Sequence, residues 1–133
     1  MATKTIVGVK EYVTVIGTDK EHTVLARIDT GATKSSIDKH LANELGLGPV
    51  LHYKTVKSAH GVAKRAIIMA RIRIAGRTFK VFFTLADRKH MKYAVLIGRN
   101  ILKRGFLINP MKSLKRKAFE GTRERATFSS KLR

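Results

Sequence analysis

The chain has no cysteine and no tryptophan, only two prolines, and nine acidic residues against 28 basic ones among its 133. Without cysteine, neither a disulfide framework nor a thiolate metal site can be built, and a reducing compartment takes nothing from the protein. With so few prolines and 44% apolar residues, general disorder is excluded; the length suits one domain with a modest core. The opening stretch MATKTIVGVKEY lacks the uninterrupted apolar core of a secretion signal. No later segment approaches the roughly eighteen consecutive apolar residues of a membrane span. A cytoplasmic protein without membrane contact is expected.

What remains in excess is positive charge. The formal net charge is +19, and the segment from Lys112 to Arg133 holds eight basic and two acidic residues, which leaves +13 on the first 111. The folded part is therefore itself basic. Such a field steers acidic partners and allows nonspecific contact with nucleic acid. It also supports one alternative function, a noncatalytic basic module that binds RNA, ribosomes or an acidic protein. Aromatics make up 7% of the chain and no RNA-binding motif is present, so binding of that kind would be electrostatic and salt-sensitive.

The dominant periodicity is two. Thr5 to Val9, Tyr12 to Ile16 and Thr23 to Ile28 read as strands, the last with Val24, Ala26 and Ile28 on one face and with turn chemistry at Gly17 to Lys20 before it. Ser36 or Asp38 can cap a short helix in which Ile37, Leu41 and Leu45 recur, with Gly46 placed to stop it and Gly48-Pro49 barring its return. Ile68, Ala70, Ile72 and Ile74 alternate with Arg71 and Arg73, turn through Ala75-Gly76-Arg77, and continue into Phe79, Val81 and Phe83, a hairpin with one wet face. Two apolar runs, Ala94 to Ile97 and Phe106 to Ile108, flank Gly98-Arg99-Asn100 and a helical turn at Ile101-Leu102. The pattern stops after Pro110. Residues 1–111 are expected to form the domain and 112–133 a basic, mobile tail, in which Leu114 to Phe119 can form a transient helix.

One motif carries chemistry. In ARIDTGATKSSI, Ala26 to Ile37, an apolar strand ends on Asp29 and passes at once into Thr30, Gly31 and Ala32. A carboxylate held there stands at a cleft with its neighbours fixed, and the strand leading to Gly98-Arg99 faintly echoes the arrangement. The paired motifs resemble those of retropepsin-like aspartic proteases. The segment from Thr84 to Pro110 is similar, more narrowly, to a small retropepsin-like group formerly labelled ATP-dependent zinc proteases, and the likeness runs over about residues 5 to 110. The resemblance implies a mainly β, closed barrel with one or two short helices, and an endopeptidase acting on polypeptide.

In that chemistry two carboxylates about 3 Å apart cannot both ionise; they share a proton, one serving as base on a water while the other donates to the scissile carbonyl. Only one Asp-Thr-Gly is present here, since Asp19, Asp38 and Asp87 are followed by Lys, Lys and Arg. The resemblance therefore implies a homodimer in which Asp29 of two chains meet. By the same resemblance Thr30 locks the motif loops together, Gly31 lets its amide approach the carboxylates, and Ala32 leaves room for substrate backbone. Gly98 packs beneath the motif and Arg99 braces it. His60 and Gly61 lie near the tip of a flap formed by Lys57 to Arg65. In retroviral members an acid after the motif pairs with the arginine, whereas Thr33, Lys34, Ser35 and Ser36 stand there in this chain, so Arg99 needs another partner or has none. Some relatives act beside ligases that add glutamate to a ribosomal protein, which suits a cationic cleft and an acidic substrate.

Other motifs carry less. Gly31 to Ser35 superficially resembles the end of a phosphate loop, but Lys34 does not follow a glycine and the upstream glycine is missing. The histidines at 22, 40, 52, 60 and 90 show no paired metal-ligand spacing, so neither a metal site nor a cofactor is expected.

Overall fold

The computed structural model describes residues 4–59, 61–114 and 119–125. Its first three strands are β1 (Thr5–Val7), β2 (Lys10–Ile16) and β3 (Lys20–Ile28), with β2 and β3 antiparallel in the register Val13↔Val24. Between them Gly17 donates its amide to the Lys20 carbonyl at 2.8 Å, closing the turn that the Gly-Thr-Asp run announces.

After the Asp29 loop the chain enters β4 (Ser35–Asp38), a strand where the sequence suggests the helix has already begun at Ile37. Ser35 and Ser36 carry no alternating apolar signal of their own. Tertiary pairing makes them a strand: β4 lies parallel to β7 (Arg77–Ala86) and antiparallel to β8 (Val95–Ile97). The helix α1 follows at Lys39–Glu44, with Asp38 as its cap accepting the Leu41 amide on Oδ2 at 3.3 Å. It ends at Gly46, whose φ of +66° suits glycine.

The hairpin is longer than its apolar alternation shows. β5 (His52–Ser58) pairs with the start of β6 (Gly61–Ile74), while the later part of β6 pairs with β2 and β7. Along β6, Ile68, Ala70, Ile72 and Ile74 are buried and Arg71 and Arg73 exposed, so the period-2 pattern sorts the two faces as written. β8 leads into a single helical turn, α2 (Arg99–Leu102), and then β9 (Phe106–Ile108), which runs parallel to β1.

The strand order β3-β2-β6-β7-β4-β8 closes on itself, because β8 returns to β3 through Arg27↔Leu96 and Ile28↔Ile97. The result is a closed six-stranded barrel with two short helices. Val13, Val15, Ile37, Ile72, Val95, Ile97 and Ile101 fill its interior at 0% exposure. Burying each side chain of this size stabilises the fold by about 2 kcal/mol.

The segment from Lys112 onward, expected to be a mobile tail, is partly tied down. Lys112 Nζ reaches the buried Glu11 carboxylate at 2.5 Å, and the same oxygen accepts the Gly8 amide. Residues Gly121–Glu124 form β10, antiparallel to the first half of β3, and Arg125 donates its amide to Asp19 and a guanidinium N–H to the Gly17 carbonyl. His22 of β3 meets the Thr122 hydroxyl at 2.8 Å, and its burial lowers the pKa of the ring. Most of the Leu114 to Phe119 helix lies outside the described residues. Among the described residues no helix is long and apolar enough to cross a membrane.

Candidate active site

β3 carries Asp29 out of the barrel, and the half-buried acid donates its backbone amide to the Ile97 carbonyl of β8 at 2.9 Å. The motif thus begins where the two echoing strands are paired. Its carboxylate is held locally: Oδ1 accepts the Gly31 amide at 2.9 Å, while the Asp29 carbonyl accepts that of Ala32. A side chain fixed by its own turn in this way presents its other oxygen, Oδ2, in a defined direction.

Beneath the loop sits Gly98. A methyl group placed on it would stand 2.3 Å from the Lys34 carbonyl oxygen and 2.9 Å from that of Ala32, so only glycine lets the two backbone segments touch. Its amide is taken by Ser35 Oγ at 2.9 Å, and the same hydroxyl donates to Asn100 Oδ1 at 2.7 Å. Asn100 then donates from Nδ2 to the Phe82 carbonyl. Ser35 is fully buried, which makes this chain of bonds the polar centre of an otherwise apolar layer.

Arg99 has neutral oxygens for partners. Its backbone amide goes to the Ala32 carbonyl, Nη1 to the Thr30 carbonyl at 2.8 Å and Nη2 to Thr33 Oγ1 at 3.0 Å. Thr33 stands in the stretch where retroviral members carry an acid, and its hydroxyl occupies the same arginine. Thr30 itself is exposed at the surface of the loop. Of the flap residues, Gly61 opens β6 and His60 lies outside the described residues. The structure therefore brings Asp29, Thr30, Gly31, Ala32, Gly98 and Arg99 together and leaves Gly61 on a separate hairpin. Ser35, Thr33 and Asn100 are the supporting residues that sequence reasoning assigned no role. The signal for Ser35 was weak: a small polar residue between the motif and Ile37. Among the described residues, no cluster of three or more His, Asp or Glu could hold a metal ion.

The hydroxyl of Ser35 gives a first test of this network. Ser35→Ala leaves the buried Gly98 amide and Asn100 oxygen without their partner, and is expected to destabilise the fold by about 2 kcal/mol. Denaturant titration of the two proteins measures it; a change below a few tenths of that value rejects the network as a stabilising element.

A six-stranded barrel with Asp-Thr-Gly at one strand end and Gly-Arg-Asn at its neighbour is the retropepsin fold, and solved structures of that fold match this one. The Simian foamy virus (mac) protease matches with a TM-score of 0.55 at 15% identity, covering 71% of this chain and 91% of its own. The EIAV protease, complexed with an inhibitor, matches at 0.56 and 22% identity over 71% of this chain and 84% of that one. A Legionella pneumophila protein of unknown function matches at 0.60 and 19%, over 85% and 98%.

Residues 38–118 match the family described as RimB-like, retropepsin-like aspartic endopeptidase RimB, and the chain belongs to that family. The matched span contains Gly98 and Arg99 and begins after Asp29. A probable alpha-L-glutamate ligase of Shewanella halifaxensis (strain HAW-EB4) is 32% identical over 65 residues. That segment is 48% of this chain but only 14% of the ligase, so the chain spans a small part of that relative.

Proposed function

We propose that the chain is one half of a homodimeric aspartic endopeptidase that cleaves acidic, extended polypeptide. The observation that carries the reading is the single Asp29, aimed by the Gly31 amide at the end of β3, in a chain of the retropepsin-like family. One carboxylate cannot be both base and acid in the same step. A second copy related by a two-fold axis supplies the other, and the two Asp29 carboxyl groups then lie about 3 Å apart and hold one proton between them.

The ionised Asp29 takes a proton from the bound water as that water adds to the scissile carbonyl, and the protonated Asp29 gives its proton to the carbonyl oxygen. On collapse of the tetrahedral intermediate the ionised Asp29 takes a proton from one of its hydroxyls as the carbonyl re-forms, and the protonated Asp29 gives its proton to the departing amine, which leaves one proton on the pair. Gly31 and the Arg99 brace keep the loop from moving as charge shifts between the two acids. Preference for an acidic chain is supported by the charge of +19 and by the partial likeness to a protein named as a probable alpha-L-glutamate ligase.

Dependence on a second chain has a kinetic signature. Well below the dimer dissociation constant, halving the protein is expected to lower the rate about fourfold instead of twofold, because the active species is second order in chain. Initial rates on an acidic peptide over a dilution series, beside sedimentation velocity, provide the check. A rate strictly proportional to protein, from a chain that sediments as a monomer, rejects the shared site.

A further inference from the structure

Between the start of β4 and the β5–β6 hairpin lies a pocket of about 360 Å³ on whose walls four cations converge. Lys34 stands just before β4, Lys54 on β5, Arg65 on β6 and Arg88 just after β7. Lys54 and Arg65 face each other directly in the hairpin register, an arrangement that like charges make unfavourable. The Lys54 ammonium also sits near enough to Lys34 to depress the pKa of the latter, as does partial burial.

Arg88 is 8% exposed, with Nε on the Tyr93 carbonyl and Nη1 on Ser36 Oγ, both neutral acceptors. Burial lowers its pKa and the Asp38 charge opposes that effect, but Asp38 gives its oxygens to the Arg88 backbone amide and to the helix cap. Asp87 is an exposed acid at the pocket wall, with Oδ1 on the Lys89 amide. Among the described residues, the ion pairs are Arg73 with Glu21 and Lys112 with Glu11, neither of them in this pocket. Repulsion of Lys34 by Lys54, with Arg65 opposite Lys54, is therefore built into the folded chain.

Repulsion of this kind is relieved when an anion enters. The pocket begins on the strand that leaves the Asp29 loop, and Ser35, between Lys34 and Ser36, is the residue that holds the Gly98 amide. An extended substrate spans about 3.3 Å per residue, and Lys34 follows Asp29 by five residues, so a substrate side chain a few residues from the scissile bond can reach the pocket. From these observations we infer that Lys34, Lys54 and Arg65, floored by Arg88, form a specificity subsite that binds the side-chain carboxylate of a substrate residue near the scissile bond. The inference rests on the peptidase reading and names the residues that select its substrate. The volume suits one or two glutamate-sized side chains, and the exposed Met91 offers their methylenes an apolar wall.

The test uses the full chain and a matched pair of labelled peptides, one with glutamates around the cleavage position and one with glutamines, read by fluorescence anisotropy at constant salt. The glutamate peptide is expected to bind at least about tenfold tighter, and Lys54→Gln or Arg65→Gln to cut that ratio about fivefold each. Lys80→Gln, which removes the same charge outside the pocket, is expected to change it less than about twofold.

Equal affinity for both peptides, or an equal loss with Lys80→Gln, overturns the subsite. So does a single-stranded oligonucleotide of matched charge that binds as tightly as the glutamate peptide and weakens equally with Lys54→Gln. The two readings fail separately. Selective binding without cleavage rejects the peptidase and keeps the subsite; cleavage with an unselective ratio that Lys54→Gln leaves unchanged rejects the subsite and keeps the peptidase.

Discussion

Asp29→Asn is expected to lower hydrolysis of an acidic peptide by at least about a hundredfold, the usual scale for loss of a positioned acid or base. Folding and dimerisation should survive, for a specific reason. Asn has the shape of Asp, and its Oδ1 can still accept the Gly31 amide that now holds the acid at 2.9 Å. The turn therefore keeps its local bond while the ionisable carboxyl group is gone. Initial rates give the first quantity; thermal melting and sedimentation of the same preparation give the second. If the variant retains activity within about tenfold of the parent, Asp29 does not perform the proton transfers. If it loses activity together with its dimer, the loss is structural and the variant says nothing in favour of catalysis.

The second large effect is expected at Gly98, which no chemistry touches. In Gly98→Ala the new methyl carbon would lie 2.3 Å from the Lys34 carbonyl oxygen, 2.6 Å from its carbon and 2.9 Å from the Ala32 oxygen. All three neighbours are backbone, so no side chain can swing aside. The loop from Ala32 to Lys34 must move away from α2, which opens the bonds from the Arg99 amide to the Ala32 carbonyl and from the Gly98 amide to Ser35 Oγ. Overpacking of this severity costs about 3 kcal/mol, a fall in Tm on the order of 10 °C for a domain of this size. Calorimetry of the variant measures it, and a fall of less than about 2 °C would mean that the contact yields easily. Gly31 offers a contrast, since a methyl there would meet only the Asp29 Oδ1 side-chain atom, at 3.2 Å.

The barrel was legible wherever one face of a strand met water. Arg71 and Arg73 between buried isoleucines announce β6, and Val24, Ala26 and Ile28 announce the strand that ends at Asp29. Strands made by their neighbours were not legible. β4 takes Ser35 and Ser36 into a sheet because β7 and β8 pair with them, and β5 is too exposed to carry an apolar pattern. Within the candidate site, Asp29-Thr30-Gly31 and Gly98-Arg99-Asn100 stand out as motifs, but the Ser35 hydroxyl that joins Gly98 to Asn100 has no spacing to betray it. The cationic pocket was hidden for the same reason. Lys34, Lys54, Arg65 and Arg88 come from four segments of a chain with 28 basic residues, and only the register of β5 on β6 and the path of β4 bring them together.

The strand β10 has a bearing on self-association. A sheet edge with free amides and carbonyls is a template on which any other chain can lay a strand. The first half of β3 would be such a rim. β10 occupies it in the register Gly121↔Thr23 to Glu124↔Lys20, and Arg125 reaches past it to the Gly17 and Thr18 carbonyls. The described part of the tail thus acts as a selvedge: it covers the rim of β3 and moves the border of the sheet outward to a short strand that carries the charges of Arg123 and Glu124.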